Sequence, residues 1–152
     1  METNSKENFM SEAIAEAKKA AMLGEVPVGC VIVHDGKIIA RAFNSTESDK
    51  DPTAHAEIKA IRLAAKALGG WRLLDSQMYV TVEPCAMCAG AIVLARIDEL
   101  YIGTMDPKMG ACGSVNNIVE DDRLNHQVKV TKDVCREECS NLMKTFFKKL
   151  RC

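Results

Sequence analysis

Apolar residues recur at helical spacing through Phe9, Met10, Ala13, Ile14, Ala17, Ala20 and Ala21, with lysine and glutamate between them. This pattern predicts an amphipathic helix over about Lys6 to Leu23, ended by Gly24. The period then changes: Val28 to Val33 is apolar and β-branched, Asp35-Gly36 is a strong hairpin turn, and Lys37 to Phe43 reads as the returning antiparallel strand. The polar run from Asn44 to Thr53, with Ser45, Asp49, Asp51 and Pro52, is a loop by composition. Helical period returns from Ala56 to about Leu68 and closes at Gly69-Gly70. A short strand at Met78 to Val82 precedes a helix rich in Ala, Leu, Ile and Val, from Cys85 to Arg96. Pro84 is expected to open that helix. Leu100 to Gly103 is another strand, Met105 to Ser114 a glycine-containing loop, Gln127 to Thr131 a further strand, and about Cys135 to Lys149 the last helix.

This alternation predicts an α/β fold: a mixed sheet of about five strands, its parallel strands joined by crossover helices, with helices on both faces. A length of 152 residues fits one domain spanning 1–152, and the 47% hydrophobic content is enough to build a core. No run approaches the ~18 apolar residues of a membrane span. No basic region leads into an apolar stretch at the start, so the expected location is the cytoplasm. Seven cysteines are an odd count for a disulfide framework and read as reduced thiols. Cys30 is expected in the core, and Cys135 and Cys139 in packing or at the surface. The formal net charge of −1 gives no global pull toward nucleic acid. The C-terminal segment differs, because Lys144, Lys148, Lys149 and Arg151 accompany Phe146 and Phe147. That end suits either phosphates and bases or a solvated helix terminus with its phenylalanines inside.

Two fragments carry chemistry: His55-Ala56-Glu57 and Pro84-Cys85-Ala86-Met87-Cys88. One imidazole and two thiolates suit Zn²⁺ with an open fourth position, and a thiol at a helix N-terminus has its pKa lowered toward the metal-binding thiolate. Glu57 separates an enzyme from a structural zinc staple, because it can approach a metal-activated water without ligating the metal and carry its proton. The expected reaction is hydrolytic loss of an amine from an amidine-like ring carbon. A structural zinc would need a fourth protein ligand, and no second matched pair lies nearby.

The stretches Glu25-Val-Pro-Val-Gly29, Asp51-Pro-Thr-Ala-His-Ala-Glu57, Val82-Glu-Pro-Cys-Ala-Met-Cys-Ala-Gly90, Gly110-Ala-Cys-Gly-Ser114 and Asn125-His126 go beyond a bare zinc signature. Through them almost the whole chain resembles the tRNA-editing adenosine deaminases of the cytidine deaminase-like superfamily. The resemblance implies a three-layer α/β/α fold, one Zn²⁺ per subunit, a homodimer and conversion of adenosine to inosine at the wobble position of a tRNA anticodon stem-loop. It makes His55, Cys85 and Cys88 the ligands and Glu57 the catalytic proton shuttle. It also implies that Asn44 bonds the target base, that Val26 and Pro27 wall its pocket, and that Asp106 contacts neighbouring nucleotides, with Phe146 and the basic terminus near the RNA. Taken alone, Asn44 reads first as a turn residue capping its own backbone. His126 matches the family and is expected to be structural, and Trp71 and Arg72 read as packing and surface. Two rivals remain: a deaminase of free guanine, cytosine or cytidine, marked by a C-terminal segment that closes the pocket, and a catalytically silent zinc-binding scaffold, marked by loss of the shuttle carboxylate.

Overall fold

Ser5 caps α1 (Lys6–Met22): its Oγ accepts the Asn8 amide at 3.2 Å. The structure, a computed structural model, describes residues 5–150, so Arg151 and Cys152 of the expected basic end lie outside the described residues. Phe9, Met10, Ala13, Ile14, Ala17 and Ala20 form the buried face of α1, as their period predicts. The strands β1 (Gly29–His34) and β2 (Lys37–Phe43) are joined at Asp35 and Gly36, whose φ angles of 52° and 73° give the paired left-handed residues of a type I′ hairpin.

Three more strands complete the sheet: β3 (Ser76–Val82), β4 (Glu99–Thr104) and β5 (Lys129–Thr131), in the order β2-β1-β3-β4-β5. β3, β4 and β5 are parallel, with α4 (Ala86–Ala95) as the crossover from β3 to β4. Parallel pairing stops at β1, which is antiparallel to both β2 and β3. The helix α3 (Ala56–Leu68) carries the chain from β2 to β3, and these strands run in one direction with the reversed β1 between them.

Side-chain alternation along the strands divides the core in two. Cys30, Ile32, Met78, Val80, Leu100 and Ile102 pack with α3 and α4 on one face. Val31, Val33 and Tyr79 pack with α1 and α5 (Arg136–Leu150) on the other, where the Tyr79 and Tyr101 rings stack at 4.4 Å. The result is the α/β/α layering expected from the sequence. Alanines at 56, 60 and 64 line the inner side of α3 at i, i+4 spacing and let that helix lie close to the sheet.

Two local expectations are corrected. A one-turn helix, α2 (Thr46–Asp49), lies in the segment expected to be an irregular loop. α4 begins at Ala86 with Cys85 as its N-cap, so Pro84 precedes the helix instead of opening it. The carboxyl ends of β2, β3 and β4 and the amino end of β1 all lie at one edge of the sheet, and the candidate site is built there.

Candidate metal centre and substrate pocket

Each metal-binding fragment sits at a helix start. His55 is the N-cap of α3 (φ −81°, ψ 150°), Cys85 is the N-cap of α4 (φ −75°, ψ 177°), and Cys88 is three residues further on. The extended backbone at both caps turns the side chains back toward the helix axis, which brings two fragments 30 residues apart onto one point. The Cys85 and Cys88 sulfurs lie 3.6 and 3.4 Å from His55 Nδ1. The three donor atoms fall within 4.8 Å of one another, the one such group among the described residues. Nitrogen plus two sulfurs in this tripod fits a tetrahedral Zn²⁺ with one position left for a small oxygen ligand.

The electrostatics agree with that fit. The adjacent Cys88 thiol, and after it the His55 ring, hold the Cys85 thiol down to about 3 against its burial. Cys85, burial and the Glu57 carboxylate push the Cys88 thiol up. The pair therefore shares one negative charge, and a divalent cation would displace the remaining proton. Glu57, the second helical residue of α3, is buried, and its Oε1 has no hydrogen-bond partner among the described residues. Burial pushes its carboxyl up to about 7. A buried carboxyl poised near neutrality beside a metal tripod is suited to moving protons in both directions.

The tripod opens into a pocket of about 300 Å³ lined by Val26, Val28, Asn44, Glu57, Asp106 and Met143 among others. Val26 and Asn44 line this pocket, while Pro27 is buried and does not line it, and Val28 takes a lining position beside Val26. Asn44 is only 7% exposed, and no protein group among the described residues bonds its side-chain amide, so it does not cap its own backbone. Both faces of that amide are left for a ligand.

Glu25 holds this wall together from 22 and 23 residues away. Its Oε1 accepts the Glu47 amide at 3.1 Å, and its Oε2 accepts the Ser48 amide and hydroxyl, each at 2.6 Å. These are the orphan donors of α2, which explains why one helical turn forms in a polar loop. Burial opposes its charge, but the Ser48 hydroxyl and these amides outweigh burial and hold the Glu25 carboxyl below its usual range.

A groove of about 570 Å³ adjoins the pocket and shares Val26, Val82, Asp106, Met109 and Met143 with it. Its far side is a stripe of α5 with Ser140, Met143, Lys144 and Phe147. Helical i, i+3, i+4, i+7 spacing links these four, a signal present in the sequence of the last helix. Phe147, 38% exposed, lines the groove. Phe146 does not line it and meets the Phe147 ring edge-on at 5.3 Å.

Other expected residues fall into structural places. His126 Nε2 donates to the Ile97 carbonyl at 2.8 Å and ties the segment before β5 to the start of β4. Cys30 and Cys139 are core thiols, and Trp71 is an exposed ring covered by the Arg72 guanidinium at 4.6 Å.

This sheet, tripod and buried carboxyl define a deaminase, and the chain belongs to the MafB19-like deaminase family, whose profile matches residues 4–151. Within it the chain is similar to tRNA-specific adenosine deaminases. It is 50% identical to that of Bacillus subtilis over 145 residues, covering 95% of this chain and 90% of the relative. It is 49% identical to that of Aquifex aeolicus over 146 residues, covering 96% of each. A solved structure described under A-to-I editing by tRNA:A34 deaminases at the wobble position superposes with a TM-score of 0.85 at 45% identity, covering 88% of this chain and 97% of that one.

Proposed function

We propose that this chain hydrolyses adenosine to inosine at the wobble nucleotide of a tRNA anticodon loop, with one Zn²⁺ per subunit held by His55, Cys85 and Cys88. The observation that carries the chemistry is the unpartnered, buried Glu57 oxygen beside the His-Cys-Cys tripod. Similarity to tRNA:A34 deaminases supports the substrate. Bound there, zinc supplies Lewis-acid activation of a water. Glu57 takes one proton of the attacking water and delivers it to the ring nitrogen, then takes the proton of the new C6 hydroxyl and delivers it to the departing amine as the carbonyl forms. Oxygen from water ends on C6, the C6–N bond breaks, and the products are inosine and ammonia.

Asn44 offers a donor and an acceptor to the purine edge, with Val26 against the base and Pro27 stiffening the backbone behind it. An anticodon-loop nucleotide enters such a pocket at less unstacking cost than a base in a duplex. The groove beyond Asp106 accommodates flanking nucleotides, with Lys144 and Phe147 facing it and Phe146 supporting Phe147.

The remaining assignments belong to the same reading. The chain acts as one deaminase domain over 1–152, in the cytoplasm, as a homodimer. α4 supports the dimer: it is apolar all round, with Ala89, Ile92 and Val93 facing the sheet while Met87 and Leu94 stay exposed at 36% and 67%. No described helix is long and apolar enough to cross a membrane.

The test is ammonia release by zinc-loaded protein across a tRNA anticodon stem-loop, free adenosine, cytidine and guanine. The stem-loop is expected to turn over with inosine as product and the free compounds to remain largely intact. Faster turnover of a free base would overturn the tRNA assignment and leave the free-base deaminase in its place.

A further inference from the structure

We infer that Lys59 is a positioning residue that fixes Asn44 at the pocket wall. This inference rests on the reading of Asn44 as the group that binds the base. Lys59 lies two residues beyond Glu57 on α3, half-buried, and does not line the pocket. Its Nζ donates to the Phe43 carbonyl at 3.0 Å and to Ser45 Oγ at 2.7 Å, and it lies 4.9 Å from the centroid of the Phe43 ring. One ammonium therefore grips the residue before Asn44 and the residue after it. Ser45 Oγ passes the contact on by donating to Asp49 Oδ2 at 2.8 Å, at the end of α2.

Backbone bonds hold the same segment from the other side. The Asn44 amide donates to the Val28 carbonyl and the Ser45 amide to the Ala54 carbonyl, both at 3.0 Å. These bonds hold the two backbone amides, and the Lys59 contacts, both charge-assisted, add a second, independent restraint on the residues flanking Asn44. A lone amide reading a base edge loses its bond within a fraction of an ångström, so a tether on both neighbours acts directly on recognition. Lysine fits the task because a compact ammonium with three donors can serve a carbonyl, a hydroxyl and a ring face at once. Lys59 also ties recognition to catalysis, since it stands on the helix that His55 caps and whose first turn holds Glu57.

The experiment is a double-mutant cycle on Lys59→Met and Asn44→Ala with the anticodon stem-loop as substrate and zinc content measured throughout. Methionine keeps the long stem and the helix while removing the donors. Lys59→Met is expected to raise KM about tenfold at nearly unchanged kcat and full zinc content, the size of a lost charge-assisted bond. In the Asn44→Ala background the same substitution is expected to change nothing further. Ser45→Ala, which removes one of the two tethers and leaves α3 intact, is expected to give a smaller loss that is also absent with Asn44→Ala. Losses that multiply in the double variant would overturn the positioning role. Wild-type kinetics in Asn44→Ala would instead overturn the reading of Asn44, while a loss there beside wild-type kinetics in Lys59→Met would overturn the Lys59 inference alone.

Discussion

The backbone amide of Asp106 donates to Oε1 of Glu83 at 2.9 Å, so a buried carboxylate two residues before Cys85 sets the position of the far pocket wall. Its Oε2 accepts the Cys112 and Ser114 amides at 2.9 and 3.0 Å, and the Ser114 hydroxyl donates to Oε1. A Cβ at Gly110 would overlap this carboxylate, which explains a glycine at that place. Glu83→Gln turns an acceptor into a donor facing backbone amides, and a buried unsatisfied donor costs about 1–3 kcal/mol. Denaturant unfolding is expected to show a loss of that size, with KM for the stem-loop raised. An unchanged midpoint would mean the loop holds itself.

Glu57→Gln preserves volume and leaves the tripod untouched. Zinc content is expected to stay at one per subunit, while kcat on the stem-loop falls by about 10²–10⁴-fold, the usual contribution of a positioned proton carrier. Single-turnover inosine formation measures it, and near-normal turnover would remove Glu57 from the mechanism.

Glu25 links stability to pH. Its folded carboxyl is held below the usual range, so its contribution is complete above the unfolded value of about 4.3 and is lost as pH falls through the lower folded value. Glu25→Gln is expected to be less stable than the wild type at pH 7, and the gap to stay constant down to about pH 5 and then narrow as the medium becomes more acidic. Denaturation at a series of pH values reads the gap directly, and a gap that widens in acid would contradict the sign.

Phe147 and Phe146 are expected to separate in function. Stacking of a base on an aromatic ring is worth about 1–3 kcal/mol, so Phe147→Ala is expected to weaken stem-loop binding by roughly tenfold or more. Phe146→Ala, acting only through its edge contact with Phe147, is expected to have a smaller effect. Fluorescence anisotropy on the labelled stem-loop distinguishes them, and the reverse order would place Phe146 against the RNA.

The exposed face of α4 makes a prediction about assembly. Leu94→Glu puts a charge on that face without entering the core. Sedimentation velocity is expected to give a dimer for the wild type and a shift toward monomer for the variant. A wild-type monomer at micromolar concentration would contradict the dimer while leaving the chemistry intact.

What could be read from the chain follows from the range of the interactions involved. The tripod was legible because His55, Cys85 and Cys88 lie in short fragments whose residue types state their chemistry, and the hairpin because Asp35-Gly36 encodes its own backbone angles. α2 was not legible, since its stability comes from Glu25 far upstream and no local pattern announces it. The choice between Phe146 and Phe147 depends on the phase of α5 against the sheet, which a count of aromatic residues leaves open. The same holds for Lys59, whose partners become neighbours only when α3 folds over the end of β2.

The reversed direction of β1 reaches beyond the pocket. Because that strand starts at the edge bearing the metal tripod, the hairpin turn at Asp35-Gly36 and the Asp75 corner before β3 are carried to the opposite edge, where His34 pairs with Ser76. Six residues of strand put that rim about 20 Å from the chemistry. It is the place to insert a fluorophore, an affinity tag or a surface tether, because a graft there touches neither the walls of the pocket nor the approach of an RNA loop.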